Sequence, residues 1–301
     1  MLARPCIQRT AFKLVNYLKL TRLHKPIGIF LLGWPVAWAF WFAYAGFPPI
    51  PLLTLFLAGT ILMRSAGCVI NDIADRNFDH QVQRTKNRPL TKGNLSLAEA
   101  WILFFFLLFL ALLILLKLPF VCFYYALVAI FLTALYPFCK RFMRCPQFIL
   151  SLAFSMGIPM AFATNQQFFN STLVVLFFIN LCWVIAYDTE YAMADQADDV
   201  KVGINSTAIF FGRYVRMTIG ILQLTSHLLW LVLASPFALT DVFAQAISLG
   251  IWAMGGLLLF HQQKQLLKSN ADAYMKAFVS NHWYGLIMWL FCWQYFSYAL
   301  D

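Results

Sequence analysis

The sequence has few charged residues for a chain of 301. Only 11% of its positions are Asp, Glu, Lys or Arg, whereas 62% are hydrophobic, and the mean hydropathy is +0.72. Soluble globular chains carry roughly 25% charged and roughly 45–50% apolar residues, so this balance excludes a soluble protein. The seven cysteines form no Cys-x-x-Cys pair, which argues against zinc binding and redox chemistry. No low-complexity linker divides the chain, and we predict one transmembrane domain over residues 1–301.

The hydrophobic residues are grouped in blocks of about 20, the length of an α-helix that crosses a hydrocarbon layer about 30 Å thick. A membrane β-barrel would instead show alternating segments of about ten residues. We therefore predict an all-α integral membrane protein with nine transmembrane helices in one bundle. The predicted spans cover residues 26–46, 51–71, 98–118, 119–138, 147–165, 170–189, 208–234, 240–260 and 278–299.

Basic residues dominate one side of this nine-span arrangement. Of the 22 Lys and Arg residues, all but Arg64 and Lys117 lie on that side, either before the first span, in its connections or, for Arg213 and Arg216, in the first turns of the span 208–234. By the positive-inside rule these segments face the cytoplasm, and residues 1–25 form a cytoplasmic or interfacial segment. Membrane topology, with contact to anionic lipid or a diphosphate, explains the net charge of +10. We therefore predict no nucleic-acid partner, and nothing in the sequence indicates a protein partner.

Acidic residues are scarcer still, and eight of the 12 lie in two short windows. The first window follows the second span, where Asp72, Asp75 and Asp79 have the i, i+3, i+7 spacing of one helical face. Asn71 lies four residues before Asp75 and shares that face. Acidic runs are usually solvated loops, but these windows continue directly out of membrane helices, where ionisable groups are costly and indicate function.

The second window follows the sixth span on the same side of the membrane. Its Asp188, Asp195 and Asp199 have the spacing i, i+7, i+11, which is again one face if the helix continues. Carboxylates on one face repel each other, and oxygen ligands on two facing helices suit Mg²⁺, which bridges carboxylates to substrate phosphates. The two windows together predict a site for a metal–diphosphate.

Basic residues supply the other half of the predicted site. Arg64 lies inside the second span, where it either pairs with an aspartate or anchors an acidic substrate, and the two roles are compatible. The remaining substrate-binding candidates share the cytoplasmic face, where contact with lipid headgroups is the alternative. They are Arg22, Lys25, Arg84, Arg88, Tyr136, Lys140 and Arg141.

Three motifs carry a resemblance to a known family. The first reads Asn-Asp-x-x-Asp-x-x-x-Asp over 71–79, followed by Arg-Thr-x-x-Arg-Pro-Leu over 84–90. The second, over 187–199, ends in Asp-x-x-x-Asp, and the third is Tyr-x-x-x-Lys over 136–140. At these spacings the chain resembles, over essentially its whole length, the UbiA superfamily of intramembrane prenyltransferases. The second motif has the form typical of the branch that acts on 4-hydroxybenzoate.

The resemblance implies an enzyme that moves a polyprenyl group from polyprenyl diphosphate to the ring carbon ortho to the hydroxyl of 4-hydroxybenzoate, in ubiquinone biosynthesis at the bacterial inner membrane. It implies Asp188 as the group that accepts a proton or polarises the phenol, with Asp72 and Arg64 as further catalytic candidates. Arg64 or Arg141 then binds the substrate carboxylate. The implied Mg²⁺ ligands are Asn71, Asp75, Asp195 and Asp199, assisted by Asp72 and Asp79.

Three alternatives stay open at this point. A UbiA-type enzyme with another acceptor, such as homogentisate, a naphthoate or haem, fits the same motifs. A transporter of an anionic metabolite explains intramembrane charge, but it gives no reason for two acidic windows on one face. A CDP-alcohol phosphotransferase carries its carboxylates in one continuous motif. The position of the windows after spans two and six further predicts two four-helix pseudo-repeats plus one helix.

Overall fold

The computed structural model describes residues 3–77, 79–80 and 85–299, with side chains from residue 11 onward. Within these ranges the chain forms helices, turns and connecting segments, and no strand is present. The helices are α1 (Ala3–Leu20), α2 (Ile27–Tyr44), α3 (Ile50–Asp75), α4 (Leu97–Leu115), α5 (Val121–Phe142), α6 (Gln147–Ser155), α7 (Gly157–Ala163), α8 (Ser171–Val202), α9 (Thr207–Phe211), α10 (Val215–Leu233), α11 (Val242–Leu266) and α12 (Ala271–Tyr298).

The all-helical prediction is confirmed, and the count of nine spans is approximate. Seven segments of the described chain are long and apolar enough to cross a membrane. The predicted span 147–165 is two short helices, α6 and α7, which meet at Met156 and Gly157. The last predicted span is helical in α12, but polar residues such as Asn281 and Gln294 interrupt its apolar sequence. The predicted pseudo-repeat remains a prediction.

Helix α8 is much longer than the predicted span 170–189, and its two ends explain why. At its start the Asn170 side chain accepts a hydrogen bond from the Leu173 backbone N–H at 2.8 Å, which satisfies one free donor of the first turn. At its end Gly203 has a φ of 74°, a left-handed conformation in which glycine is favoured. The helix therefore continues through the whole second acidic motif.

An aromatic cluster holds the bundle together around α8. The ring of Trp38 in α2 lies 5.0 Å from that of Trp183 in α8 and 5.1 Å from that of Trp230 in α10. The Trp183 indole N–H donates to Asn281 of α12 at 2.9 Å, so a buried polar group finds its partner. These contacts join four helices at one point.

A buried carboxylate fixes the rotation of α8. Glu190 is fully buried, and its two oxygens accept hydrogen bonds from Gln223 of α10 at 2.9 Å and from Asn281 of α12 at 2.8 Å. Burying an acidic group without such partners would cost roughly several kcal/mol of folding free energy. Because Glu190 points toward α10 and α12, the opposite side of α8, which carries Asp188 and Asp195, faces α3 and α5.

Candidate active site

The two acidic windows meet at one cavity of about 1250 Å³, as the sequence predicts. The windows belong to α3 and α8, which lie on opposite sides of it. Of the residues predicted to form the site, the cavity is lined by Arg22, Lys25, Arg64, Asn71, Asp72, Asp75, Asp79, Arg88, Tyr136, Lys140, Asp188, Asp195 and Asp199.

Helices α3 and α8 present polar groups to the cavity at the same spacing. Asp188, Asp195 and Asp199 of α8 all line it, so the prediction of one continuous helical face is confirmed. On α3, Arg64, Asn71 and Asp75 follow the same i, i+7, i+11 spacing and also line the cavity. Each helix therefore carries one polar group deep in the bundle and two near its end.

Two cations converge on one buried carboxylate in the first motif. Asp72 is 2% exposed, and its oxygens accept hydrogen bonds from Arg22 at 2.9 and 3.0 Å. The Arg88 guanidinium lies 3.0 Å from the same Asp72 carboxylate. It also lies 2.8 Å from the carboxylate of Asp79. Ion pairs of this kind are strong only when the partners are held in good geometry, because burying the charges is costly. Asp72 thus joins the α1–α2 connection, α3 and the following loop.

Arg22 occupies a position where glycine is favoured. Its φ is 60°, and the backbone around it forms a Schellman motif, in which Leu23 N–H donates to the Leu18 carbonyl at 3.1 Å and Arg22 N–H to that of Lys19 at 3.2 Å. A residue with a Cβ in this conformation costs about 1–2 kcal/mol. The ion pair between the Arg22 guanidinium and Asp72 offsets that strain, which explains why an arginine occupies this position.

The prediction that Asp75 and Asp79 share one continuous helix is wrong, because α3 ends at Asp75 and Asp79 lies beyond it. Asp79 N–H still donates to the Asp75 carbonyl at 3.0 Å, so Asp79 stays next to the end of α3. Burial raises the pKa of the Asp79 carboxyl, and Arg88 opposes this effect. Asp75 itself pairs with Lys140 of α5 at 3.2 Å.

The acidic windows and the cations beside them form the polar end of the cavity. The deeper part of this polar end contains Asp188, Tyr136 and Arg64. The Tyr136 hydroxyl donates to an Asp188 oxygen at 3.4 Å, and Lys140 and Arg64 lie within electrostatic range of that carboxylate. Among the described residues Arg64 forms no ion pair, and its buried Nε has no hydrogen-bond partner. The guanidinium lies 5.8 Å from the ring centre of Phe154 in α6. Pairing with an aspartate therefore does not account for Arg64.

Of the two remaining predicted substrate-binding residues only one is described, and it does not line the cavity. Arg84 falls outside the described residues. Arg141 is exposed, donates to the Ala74 carbonyl at 3.2 Å and lies over the Phe138 ring at 5.4 Å. Tyr136 and Lys140 are four residues apart and share a face of α5, whereas Arg141 is one residue further and is rotated by about 100°. The helical geometry thus favours Arg64 over Arg141 as a cavity cation.

Residues that the sequence analysis did not select hold α1 against the start of α4. Lys13 of α1 approaches Glu99 at 2.7 Å, and the Tyr17 hydroxyl donates to the same oxygen at 3.1 Å. Asn94 donates to Asn16 at 3.1 Å. Glu99 also closes a capping box with Ser96, whose Ser-x-x-Glu spacing is visible in the sequence. This α1–α4 clamp borders the loop that carries Arg88.

The other end of the cavity is apolar. Its walls come from α3, α4 and α5, and the side chains include Phe56, Met63, Phe105, Phe109, Leu127 and Ile130. Helix α4 packs against α3, and α5 packs against α6. Phe105, Phe109 and Leu127 are 61%, 55% and 50% exposed although they line the cavity. This apolar arm therefore opens sideways, toward the lipid, between α4 and α5.

The residues at the polar end fit a divalent cation. The Asn71 Oδ1 is buried and has no hydrogen-bond partner among the described residues, and a metal ion would satisfy it. The nearby ligands are all oxygens, as Mg²⁺ prefers. No three His, Cys, Asp or Glu side chains of the described chain lie close enough to hold a metal by themselves. A metal here would need further oxygens from a phosphate.

These features define a class of protein, an integral membrane helical bundle whose internal cavity is polar at one end and open to lipid at the other. Residues 32–289 match the UbiA prenyltransferase family. The chain is 53% identical over 273 residues to a 4-hydroxybenzoate octaprenyltransferase of Legionella pneumophila strain Corby, covering 91% of this chain and 95% of that protein. It is 43% identical over 281 residues to that of Enterobacter sp. strain 638, covering 93% and 96%.

The fold is also that of solved structures. A UbiA homologue from Archaeoglobus fulgidus, bound to DMAPP and Mg²⁺, superimposes with a TM-score of 0.71 at 20% identity, over 94% of this chain and 98% of that one. The chain belongs to the UbiA prenyltransferase family, which confirms the resemblance that its motifs predict.

The α1–α4 clamp leads to a prediction about the loop that carries Arg88. Glu99→Gln preserves the capping box but removes the charge that pairs with Lys13, so we expect faster tryptic cleavage at residues 85–95 in detergent. The effect is modest, because a partly exposed ion pair contributes about 1 kcal/mol or less. Asp272→Asn, at the start of α12, is the control and should leave the cleavage rate unchanged. Equal rates in wild type and Glu99→Gln would contradict the clamp.

Proposed function

We propose that this protein transfers a polyprenyl group from polyprenyl diphosphate to the ring carbon ortho to the hydroxyl of 4-hydroxybenzoate, which gives 3-polyprenyl-4-hydroxybenzoate for ubiquinone biosynthesis. The observation that carries the proposal is one cavity that joins an acidic, cation-bordered end to an apolar arm open to lipid. The names of the similar proteins supply the acceptor, and they make octaprenyl diphosphate the first donor to test.

The polar end suits the diphosphate of the donor. We assign Asn71 and Asp75 of α3 and Asp195 and Asp199 of α8 as the residues that hold Mg²⁺, since these oxygens line the cavity from both sides. Bound Mg²⁺ neutralises the charge that develops on a leaving diphosphate. The described residues contain no ready cluster of three ligands, which fits this role because Mg²⁺ normally takes substrate phosphates as part of its coordination.

The cations around Asp72 suit the phosphate oxygens. Arg22 and Arg88 meet at this carboxylate, and Lys140 pairs with Asp75. Charged donors at the mouth of a low-dielectric cavity favour an anionic group. We infer that Asp72 and Asp79 hold these cations in place, and that the arginines and lysine bind the diphosphate.

The apolar arm suits the prenyl chain. The first units of the chain would lie in this arm, and the opening between α4 and α5 lets the far end of a long chain remain among lipid tails. Burial of its first units stabilises the complex by roughly 25 cal/mol per Å² of apolar surface.

The deeper polar groups suit the aromatic acceptor. We propose that Arg64 binds its carboxylate, since a guanidinium matches a planar carboxylate and Arg64 has no ion-pair partner among the described residues. Asp188 of α8, which accepts a hydrogen bond from Tyr136 of α5, then lies where the phenol would be polarised.

The chemistry is a substitution on the ring. The bond between the first prenyl carbon and the diphosphate oxygen breaks, and diphosphate leaves with the electron pair. The ring carbon ortho to the phenol supplies two electrons for the new C–C bond to the allylic carbon, and that ring carbon then loses its proton. Asp188 is the proposed proton acceptor. Cations at the polar end stabilise the departing diphosphate, which is the electrostatic part of the rate enhancement.

We also propose that the polar end faces the cytoplasm of a bacterial inner membrane, because almost all Lys and Arg residues lie on that side. A membrane-impermeant maleimide applied to intact spheroplasts should label Lys117→Cys, in the α4–α5 connection, and should reach Lys268→Cys, after α11, only when the membrane is permeabilised. Both positions are exposed in the structure. The reverse labelling pattern would place the site on the periplasmic side.

The metal proposal predicts loss of product when either side of the cavity is altered. Purified protein in detergent with octaprenyl diphosphate, 4-hydroxybenzoate and Mg²⁺ should form the C-prenylated acid, measured by chromatography and mass spectrometry. EDTA, Asp75→Ala and Asp195→Ala should each lower the rate by about 100-fold or more, since each removes transition-state stabilisation of the diphosphate. Asp198→Ala is the matched control, because Asp198 pairs with exposed Lys201 and does not line the cavity. Normal rates in both cavity variants would refute the assignment of the metal site.

The acceptor proposal predicts which arginine recognises the carboxylate. Arg64→Gln should lower kcat/KM for 4-hydroxybenzoate by about 10- to 100-fold, because a hydrogen bond to a charged group contributes about 1.5–3 kcal/mol. It should have little effect on 4-hydroxybenzamide, which has no carboxylate. Arg141→Gln is the control and should stay within about threefold of wild type, since Arg141 lies outside the cavity. If Arg141→Gln and not Arg64→Gln abolishes the preference for the acid, Arg64 has another role.

A further inference from the structure

Gly28 lies in the first turn of α2 and is buried. Its φ is not in the left-handed region, so the backbone does not require glycine there. A glycine within a helix is about 0.5–1 kcal/mol less favourable than alanine. A reason for glycine at this position must therefore come from the space around it.

That space is filled by the Arg64 side chain. A Cβ added at Gly28 would fall on the Arg64 guanidinium, in contact with Nε and 2.6 Å from Cζ, well inside van der Waals distance. The other helical glycine near the start of α2 differs. A Cβ at Gly33 would meet nothing closer than the Thr60 methyl at 3.8 Å, an ordinary contact.

Arg64 is thus held in a slot between two helices. The backbone of Gly28 in α2 lies beside the guanidinium, and the centre of the Phe154 ring in α6 lies 5.8 Å from the Arg64 Cζ. The side chain lines the cavity, and no ion pair to a described carboxylate fixes its position. An arginine has many rotamers of similar energy, and Asp188 lies close enough to attract it electrostatically. The slot limits the positions that the guanidinium can take.

We propose that Gly28 is a specificity-determining positioning residue: it leaves the room in which the Arg64 guanidinium lies toward the cavity, and so sets the preference for an acceptor that carries a carboxylate. This inference rests on the proposed function, in which Arg64 binds that carboxylate. Gly28 itself contacts Arg64 and acts on the substrate only through it.

The test compares Gly28→Ala with Gly33→Ala in the purified full-length protein. Gly28→Ala should raise KM for 4-hydroxybenzoate by about tenfold or more, as expected when a charged hydrogen bond is misplaced. Its KM for octaprenyl diphosphate should stay within about twofold of wild type, and kcat/KM for 4-hydroxybenzamide should be unchanged within the same margin. Gly33→Ala should match wild type with both acceptors. A general packing defect would instead lower activity with the two acceptors equally.

A double variant tests the contact itself. Alanine at position 64 removes every side-chain atom that a Cβ at Gly28 would meet, so in an Arg64→Ala background Gly28→Ala should add less than about a twofold change. If Gly28→Ala alone does not fold, the double variant should recover folded protein, measured by gel filtration and thermal unfolding. Failure to recover it overturns the inference, as does a Gly28→Ala enzyme that keeps the wild-type preference for the acid.

The outcomes separate this inference from the proposed function. If the wild-type enzyme uses 4-hydroxybenzamide as well as 4-hydroxybenzoate, or if Arg64→Gln keeps the preference for the acid, the proposed role of Arg64 fails. If the wild type prefers the acid and Arg64→Gln abolishes that preference while Gly28→Ala retains it, only the role of Gly28 fails.

Discussion

The site is organised around the carboxylate of Asp72, which is buried and bonded to two arginines. Arg22 reaches it from the end of α1, and Arg88 from the loop after α3. A charge at this depth persists only when its partners are fixed, so three chain segments must be in place together. The left-handed conformation of Arg22 and the α1–α4 clamp are consistent with that requirement. The mouth of the cavity is therefore built by compensation of charge, while aromatic packing around Trp38 holds the bundle beside it.

The same constraint divides the cavity into two environments. At the polar end, acidic residues of α3 and α8 are balanced by cations from α5 and the connecting segments, and the buried Asn71 oxygen has no partner of its own among the described residues. At the other end, half-exposed aromatic and aliphatic side chains face lipid. A substrate with a charged head and a long apolar tail satisfies both environments at once. This match between polarity and position underlies the proposed reaction.

The particular elements show how far sequence reasoning reaches. The spacing of Asp188, Asp195 and Asp199 predicts one face of a continued helix, and α8 has that face. The same reasoning fails for Asp79, because α3 ends at Asp75 and the chain turns there. It also fails to separate Arg64 from Arg141, since both are basic residues near the same membrane face. Lys13 and Glu99 lie far apart in the chain, so no local pattern indicates that they pair.

The sequence by itself determined the membrane class, the helices, the two acidic motifs and the family, because hydrophobic length and motif spacing are local properties of the chain. Only the tertiary structure decided which cations meet which carboxylates and which arginine enters the cavity. Gly28 and Phe154 border the guanidinium of that arginine, Arg64. Such contacts depend on the rotation and packing of helices that are distant in sequence. Side-chain contacts across a bundle are set by that packing, and composition and periodicity carry no record of it.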